Sequence, residues 1–446
     1  SEMFFRKECI GDSKVNVTAQ PVDVHEVARA IAHARDLQEN DEAFMIVNLD
    51  AVHDRLKLWR RELPHIEPFY AVKCHTDAVM ISALAALDVG FDCASREEID
   101  VVIRAGVSSD RIVYANPCKT RSFIAYAEQQ GVSMMTFDNA EELKKIARFH
   151  TCPELILRIA VADPTATSQL SLKFGAEPIK AAPELLKLAA EMGMSVIGVS
   201  FHVGSDANDA SSYHTALAHA RNLFDIGLSL GHKMGIVDLG GGFPGGENRG
   251  TPFEKIAAVI RSAVCEFFPE PEVRLIAEPG RFFAARPFTI VANVISHTEV
   301  PAEKITKNAC DATEAGHMYY INDGVYGSFS CILFDQPARP IGRPLFDLPG
   351  DQFPSTIWGP TCDSLDKLED NKMMRELDVG DWIIYEVRYP SIFAHQLLID
   401  LPLNRYSPTV INNCFQEMGA YTRAASTTFN GFERPTPVYV ISEHTW

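Results

Sequence analysis

The sequence predicts an α/β architecture: a (β/α)₈ barrel of the TIM type joined to an all-β C-terminal domain. Eight short apolar runs alternate with amphipathic stretches between residues 65 and 283. The runs are almost continuously apolar, the mark of parallel strands covered on both faces. From residue 284 onward the pattern changes to β-rich segments separated by Gly and Pro.

In chain order the runs are FYAVK (69–73), VGFDCA (89–94), RIVYAN (111–116), SMMTFD (133–138), ELILRIA (154–160), VIGVSFH (196–202), GIVDLGG (235–241) and VRLIAEPG (273–280). Between them fall segments such as AVMISALAALD, SREEIDVVIRAG, AEELKKIARFH and FEKIAAVIRSAVCEFF, with apolar residues three or four apart on one helix face. Strands alternating with helices build parallel sheets, and eight such units close a barrel whose chemistry sits at the C-terminal strand ends. Those ends bring Lys73, Asp92, Asp138, Arg158, His202, Gly240, Gly241, Gly242 and Glu278 to one rim. An open doubly wound sheet is the alternative, and it leaves polar residues at so many strand ends unexplained.

The remaining segments, ARPFTIVANVISHTEV, MYYINDGVYGSF, GDWIIYE and TPVYVIS, read as strands without convincing helices between them. The first residues, including the helical VHEVARAIAHARDLQEN, join this part. The expected division is a barrel over 45–283 and a β-rich domain from 1–44 and 284–446, with CDATEAGH (310–317) and RPIGRPLFDLPGDQFP (339–354) as surface loops.

A chain of 446 residues exceeds one typical core. The net charge of −18 disfavours nucleic acid and favours a cationic small substrate. No apolar stretch is long enough to cross a bilayer, and SEMFFRKECIGD has neither the basic start nor the apolar core of a signal peptide. The ten cysteines are scattered without a C-x-x-C pair, which argues against zinc or a disulfide framework and for reduced thiols in the cytoplasm.

PFYAVKC (68–74) ends an apolar run on Lys73. A lone lysine there is ordinarily a frayed strand end with its stem packed and its amine in water. Its companions change that reading. DLGGGFPGG (238–246) puts Gly240, Gly241 and Gly242 at a strand-to-helix turn where backbone N–H groups can approach an anion, although a tight barrel turn alone also explains glycines. EPGR, which is Glu278, Pro279, Gly280 and Arg281, adds a carboxylate for a protonated ring nitrogen and a guanidinium for a phosphate. FHVGS adds the His202 imidazole and the Ser205 hydroxyl. Pyridoxal 5′-phosphate needs all of these at once: an amine for its aldehyde, donors for its phosphate and an acid for its ring nitrogen.

These motifs, with IVYANPCK, LRIA, NDGVYGSF, WGPTCDSLD, MGAYT and TTFNGF, resemble in order those of the eukaryotic ornithine decarboxylases, fold-type III enzymes related to alanine racemase, from about Phe4 to Tyr439. The resemblance implies pyridoxal 5′-phosphate-dependent conversion of L-ornithine to putrescine, the first step of polyamine synthesis. It implies that Lys73 carries the cofactor, that Asp92 lies beside it and that His202 stacks on the ring. Arg158 is among the retained cofactor-holding residues; Ser205, Gly242, Arg281 and Tyr421 hold phosphate, and Glu278 bonds the ring nitrogen. Phe334, Asp335, Asp363 and Phe429 form the substrate set, and Cys362 donates a proton. Cys362 and Asp363 come from the second subunit of a homodimer. The paired acids suit a distal ammonium and have the wrong sign for diaminopimelate. Lysine differs from ornithine by one methylene, which discriminates only modestly, and arginine is a further alternative.

The resemblance extends to noncatalytic antizyme inhibitors, which lose cofactor-holding residues, whereas Asp92, Arg158, Arg281 and Tyr421 remain here. The family's antizyme-binding surface maps to about 116–148, where Lys119, Arg121, Lys145 and Arg148 keep positive charge but Ala125 stands in a position expected to be basic. The block VRYPSIFAHQLLIDLPLNRYSPTVINNCFQ (387–416) departs from the family. It contains no Gly, Lys or Glu, begins with a GT-type codon, and ends in residues that a pyrimidine-rich tract closing in CAG encodes. Its removal leaves GDWIIYEEMGAYT. A translated intron is the expectation and a genuine surface lobe the alternative; the mature transcript decides between them.

Overall fold

The computed structural model describes residues 4–161, 173–204, 210–246, 251–334, 339–388 and 418–446. Ser205, Asp335 and residues 389–416 of the atypical block lie outside the described residues. The chain divides into two units, Asp54–Phe283 and Ser1–His53 with Ala284–Trp446.

The second unit starts with β1 (Phe4–Ile10) and β2 (Ser13–Thr18), an antiparallel hairpin, and β3 (Phe44–Asn48). The helix Val24–Asp36 intervenes, its start fixed by the Asp23 side chain accepting from the N–H groups of His25 and Glu26. Its inner stripe of Val24, Val27, Ala28 and Ala32 packs on Phe44, Ile46, Val291, Trp382 and Val440.

The other unit is a closed parallel barrel of β4 (Ile66–Ala71), β5 (Gly90–Cys93), β6 (Ile112–Tyr114), β7 (Met134–Phe137), β8 (Glu154–Ile159), β9 (Val196–Phe201), β10 (Ile236–Asp238) and β11 (Arg274–Ala277), with β11 returning to pair β4. Each predicted run supplies one of these strands. The turns that follow them are built by helix starts. Ser95 and Asn139 accept from the N–H groups of Glu98 and Glu142, as the S-x-x-E and N-x-x-E spacings require. A helix at Leu49–Glu62, missing from the sequence-based set, brings the buried Trp59 against Phe243, Phe253, Phe282 and Phe283.

The sheet is completed by β12 (Phe288–Pro301), β13 (Ala315–Ile321), β14 (Arg339–Pro344), β15 (Gln352–Trp358), β16 (Lys367–Arg375), β17 (Trp382–Arg388) and β18 (Thr436–Ser442). Its order is β1-β2-β18-β3-β12-β13-β15-β16, with β17 pairing β12 and β14 pairing β17. Two loop expectations are overturned. Residues 339–344 form β14 and 352–354 open β15, while β13 begins at Ala315 inside CDATEAGH. Pro340 and Pro344 conceal β14 in the sequence, yet β14 is bonded on one side only, where a missing N–H is tolerated. Among the described residues no helix is long and apolar enough to cross a membrane.

Candidate active site

The pleat of the barrel strands sorts their side chains into layers. Phe69 and Ala71, Ile156 and Arg158, Ile236 and Asp238, and Ile276 and Glu278 are each two residues apart, so each pair faces the same way. The lower positions form a packed apolar plug of Phe69, Val113, Ala115, Met134, Ile156, Ile236 and Ile276. The upper positions hold Asp92, Arg158, Asp238 and Glu278, all buried. Three carboxyls on an apolar floor make a site that favours cations.

Lys73 lies just past β4, in a 3-10 turn over Val72–Cys74. The turn is positioned by EPGR: the Ala71 N–H donates to the Pro279 carbonyl at 3.4 Å, and a Cβ on Gly280 would stand 3.0 Å from the Cβ of Cys74. Pro279 and Gly280 therefore position the lysine's turn. The Lys73 amine bonds Asp92 Oδ2, while 41 % of its side chain stays exposed, so a small molecule can reach it. Burial and the neighbouring Glu278 charge push the Asp92 carboxyl up to about 7 against the pull of Lys73.

His202 extends from the end of β9. The Gly241 N–H donates to its Nδ1 at 3.0 Å, so Nε2 carries the ring proton, 2.8 Å from Glu278 Oε2. Burial and the Arg158 cation lower His202 to about 4, leaving the ring neutral at pH 7. Burial alone would push Glu278 up; the His202 ring and the Lys73 ammonium outweigh it and hold Glu278 at about 2. Asp238 is driven well up by burial and by Glu278, so it keeps its proton. One anion, one acid and one neutral imidazole thus share the floor. Neither Glu278 oxygen is satisfied by a hydrogen bond of good geometry.

The glycine turn is shaped by close approach. Gly240 has φ of +60°, and a Cβ there would lie 2.0 Å from the Phe201 carbonyl; Gly242 has φ of +106°. Arg55 fixes this turn to the next one, its guanidinium 3.7 Å over the Phe282 ring and donating to the carbonyls of Phe282 and Pro244. Arg281 opens the short helix after EPG and is buried, and the Arg158 guanidinium lies over the Phe174 ring at 5.3 Å. Asp138, placed on the rim by the sequence, follows β7 directly; its carboxylate accepts from the Gly175 N–H and the Asn139 side-chain amide and anchors the loop after β8.

In the sheet unit three distant motifs converge. Asp363 accepts from the Tyr326 hydroxyl, the Tyr326 and Phe429 rings lie 4.6 Å apart, and the Cys362 N–H donates to Asn430 Oδ1 at 3.3 Å. Behind them the buried Asp366 accepts from Val325 N–H at 2.8 Å and from Thr361 N–H at 3.0 Å. Cys362 is exposed, Phe334 is 72 % exposed, and Tyr421 sits at φ of +55°, a left-handed conformation rare for a bulky side chain. Asp238, Arg55, Tyr326 and Asp366 are structurally central and were absent from the sequence-based set. Asp238, Tyr326 and Asp366 stood inside quoted motifs, whereas Arg55 carried no local signal. At the expected antizyme surface, Lys119 is sealed against Glu142 at 3.0 Å and the Thr136 carbonyl, so it adds no surface charge; Arg121 and Arg148 are exposed.

Residues 49–285 match the family described as pyridoxal-dependent decarboxylase, pyridoxal binding domain. The chain is 58 % identical to the ornithine decarboxylase of Caenorhabditis elegans, covering 100 % of this chain and 98 % of that one. The chain belongs to the ornithine decarboxylase family of pyridoxal-dependent decarboxylases. The chain is also 40 % identical to antizyme inhibitor 2 of Xenopus laevis, over 98 % of this chain and 89 % of that one. Among solved structures, the arginine decarboxylase of Paramecium bursaria Chlorella virus superposes with a TM-score of 0.79 at 34 % identity, covering 94 % of this chain and all of that one. The residues present fit the decarboxylase cofactor. Glu278 is a buried anion suited to a ring N–H, the glycine turn leaves no room for side chains, and the Lys73 amine is reachable.

Proposed function

We propose that this chain decarboxylates L-ornithine to putrescine and carbon dioxide. A single observation carries the reading: the buried Glu278 anion and the reachable Lys73 amine share one barrel mouth, in a chain 58 % identical to an ornithine decarboxylase along its full length. Bound pyridoxal 5′-phosphate supplies an aldehyde carbon for amine attachment and a ring that accepts the electron pair left by departing carbon dioxide. Lys73 offers the amine, and Asp92, poised near neutrality, takes and returns a proton at Nζ. Glu278 stays anionic and keeps the ring nitrogen protonated, and His202 presents a neutral face. The N–H groups of Gly240–Gly242 with Arg281, Ser205 and Tyr421 bind phosphate, and Arg158 supports the floor. Phe334, Asp335 and the second copy's Asp363 surround the distal ammonium, Phe429 completes the substrate set, and Cys362 gives a proton to the α-carbon.

Exposure of Cys362 supports its use on the site of a second copy in a homodimer. The free thiols of Cys118, Cys152, Cys265 and Cys310, all exposed, support a cytoplasmic location. Carbon dioxide release from ornithine, lysine and arginine at matched concentrations tests the substrate: a kcat/KM for lysine or arginine equal to that for ornithine overturns the assignment. A cofactor-loaded protein that shows no Schiff-base absorption and releases no carbon dioxide from any of the three belongs with the inhibitors. Mixing Lys73→Ala and Cys362→Ala subunits restores partial activity if sites are shared; demonstrated heterodimers without recovery refute sharing.

A further inference from the structure

A second cluster of chemistry lies wholly within the sheet unit. The antiparallel register of β12 with β13 sets His297 opposite Tyr319 and Glu299 opposite His317, so these four side chains share one face. The His297 ring stacks on Tyr319 at 4.9 Å and 20°, and His317 stacks on the same ring at 5.8 Å and 27°. The Tyr319 hydroxyl accepts from the Leu377 N–H at 3.0 Å, which anchors the segment after β16 and with it the preceding Glu376. One nitrogen from each imidazole and a carboxylate oxygen of Glu376 lie within 4.8 Å of one another.

His297 Nε2 and His317 Nδ1 are 2.8 Å apart. Two neutral imidazoles share one N–H···N bond there, and His317 Nε2 remains buried with no partner in either tautomer. A purely structural histidine pair would leave that nitrogen uncompensated in a residue only 2 % exposed. Glu299 and Glu376 place two negative charges around the pair.

We propose that His297, His317 and Glu376 form a binding site for a divalent transition ion of the zinc type, which ties β12, β13 and the segment after β16 together. Two imidazoles and a carboxylate are a zinc donor set, whereas calcium and magnesium take oxygen ligands. Ligands around one zinc stand about 3.3 Å apart at bond lengths of about 2.1 Å, so the exposed Glu376 side chain has only a short swing to make. The fourth position is open to water or Glu299. The site is independent of the decarboxylase chemistry and belongs to neither the cofactor nor the substrate set.

The test uses the full chain loaded with its cofactor, stripped by a chelator and dialysed against micromolar zinc chloride. The wild type retains about one zinc per chain, and its X-ray absorption spectrum shows imidazole and oxygen ligands without sulfur. Glu376→Gln, on an exposed side chain that leaves the fold untouched, weakens retention about tenfold or more, and His297→Gln abolishes it while preserving the circular dichroism spectrum. Zinc also raises the Tm of the wild type and leaves that of His297→Gln unchanged. A sulfur shell, equal zinc in the wild type and Glu376→Gln, or no zinc retained by the wild type overturns the site.

Discussion

Asp366→Ala is the sharpest test of how the sheet unit presents its chemistry. The carboxylate is buried and takes the Val325 N–H on Oδ1, and the Thr361 N–H and hydroxyl on Oδ2, the last at 2.6 Å. It fits only because Gly324 and Gly359 leave space: a Cβ on either would lie 2.2 Å from Oδ1. Alanine strands two backbone donors, each costing about 1–3 kcal/mol when left unsatisfied, while the hydroxyl rotates to another acceptor. The loss is therefore about 2–6 kcal/mol. Asparagine does not rescue it, because its NH₂ faces donors in place of one oxygen. Urea unfolding followed by far-ultraviolet circular dichroism measures the cost. With m of about 3 kcal/mol/M, a loss near 4 kcal/mol lowers the midpoint by about 1.3 M. Because Asp366 ties NDGVYGSF to WGPTCDSLD, kcat falls too, while cofactor affinity, set mainly by the barrel residues, falls less. A midpoint within about 0.3 M of wild type would falsify the claim that this carboxylate holds the two segments together.

Three further outcomes follow from the barrel. Glu278→Gln exchanges a charge-assisted hydrogen bond for a neutral one, a difference of about 1.5 kcal/mol or more, so kcat drops at least about tenfold while the bound-cofactor absorption persists; unchanged kcat removes Glu278 from the chemistry. His202 is lowered to about 4 from an ordinary 6.5, so the unfolded chain binds its proton first and stability is lost as pH falls from 6.5 through 4. That window is worth about 3 kcal/mol, and it flattens in His202→Asn apoprotein when stability is measured against pH. Gly240→Ala adds a Cβ 2.0 Å from a carbonyl oxygen at positive φ, so it costs at least about 2 kcal/mol and weakens cofactor retention on gel filtration.

The barrel was legible because each strand is a buried apolar run bounded by helix starts that announce themselves, as SREE and NAEE do. The far sheet was less so. β16 reads KLEDNKMMR and among the described residues pairs only β15, and an edge strand tolerates the charges that hide it. β14 carries two prolines for the same reason. In the site, Lys73, His202 and Glu278 stood out as polar residues closing apolar runs. The proton arrangement did not, because it depends on Asp238 and Glu278 meeting across 40 positions of sequence, each altering the other's ionisation. Asp366 closes the quoted WGPTCDSLD, but its role was not legible for a related cause: its partner Val325 is supplied by folding, and no periodicity marks a carboxylate that receives backbone donors. The histidine pair likewise required the register of β12 and β13.

The place of β18 between β2 and β3 governs how the molecule must be made. Tyr439 runs alongside Val15 in one direction and Val47 in the other, so the amino-terminal hairpin emerges from the ribosome long before the neighbour that completes it. The barrel segment can close on local contacts while synthesis continues, but the edges of β2 and β3 that β18 covers stay bare until residues 436–442 are translated. A nascent chain shortened before Thr436 carries that gap permanently, an invitation to foreign strands that β18 withdraws.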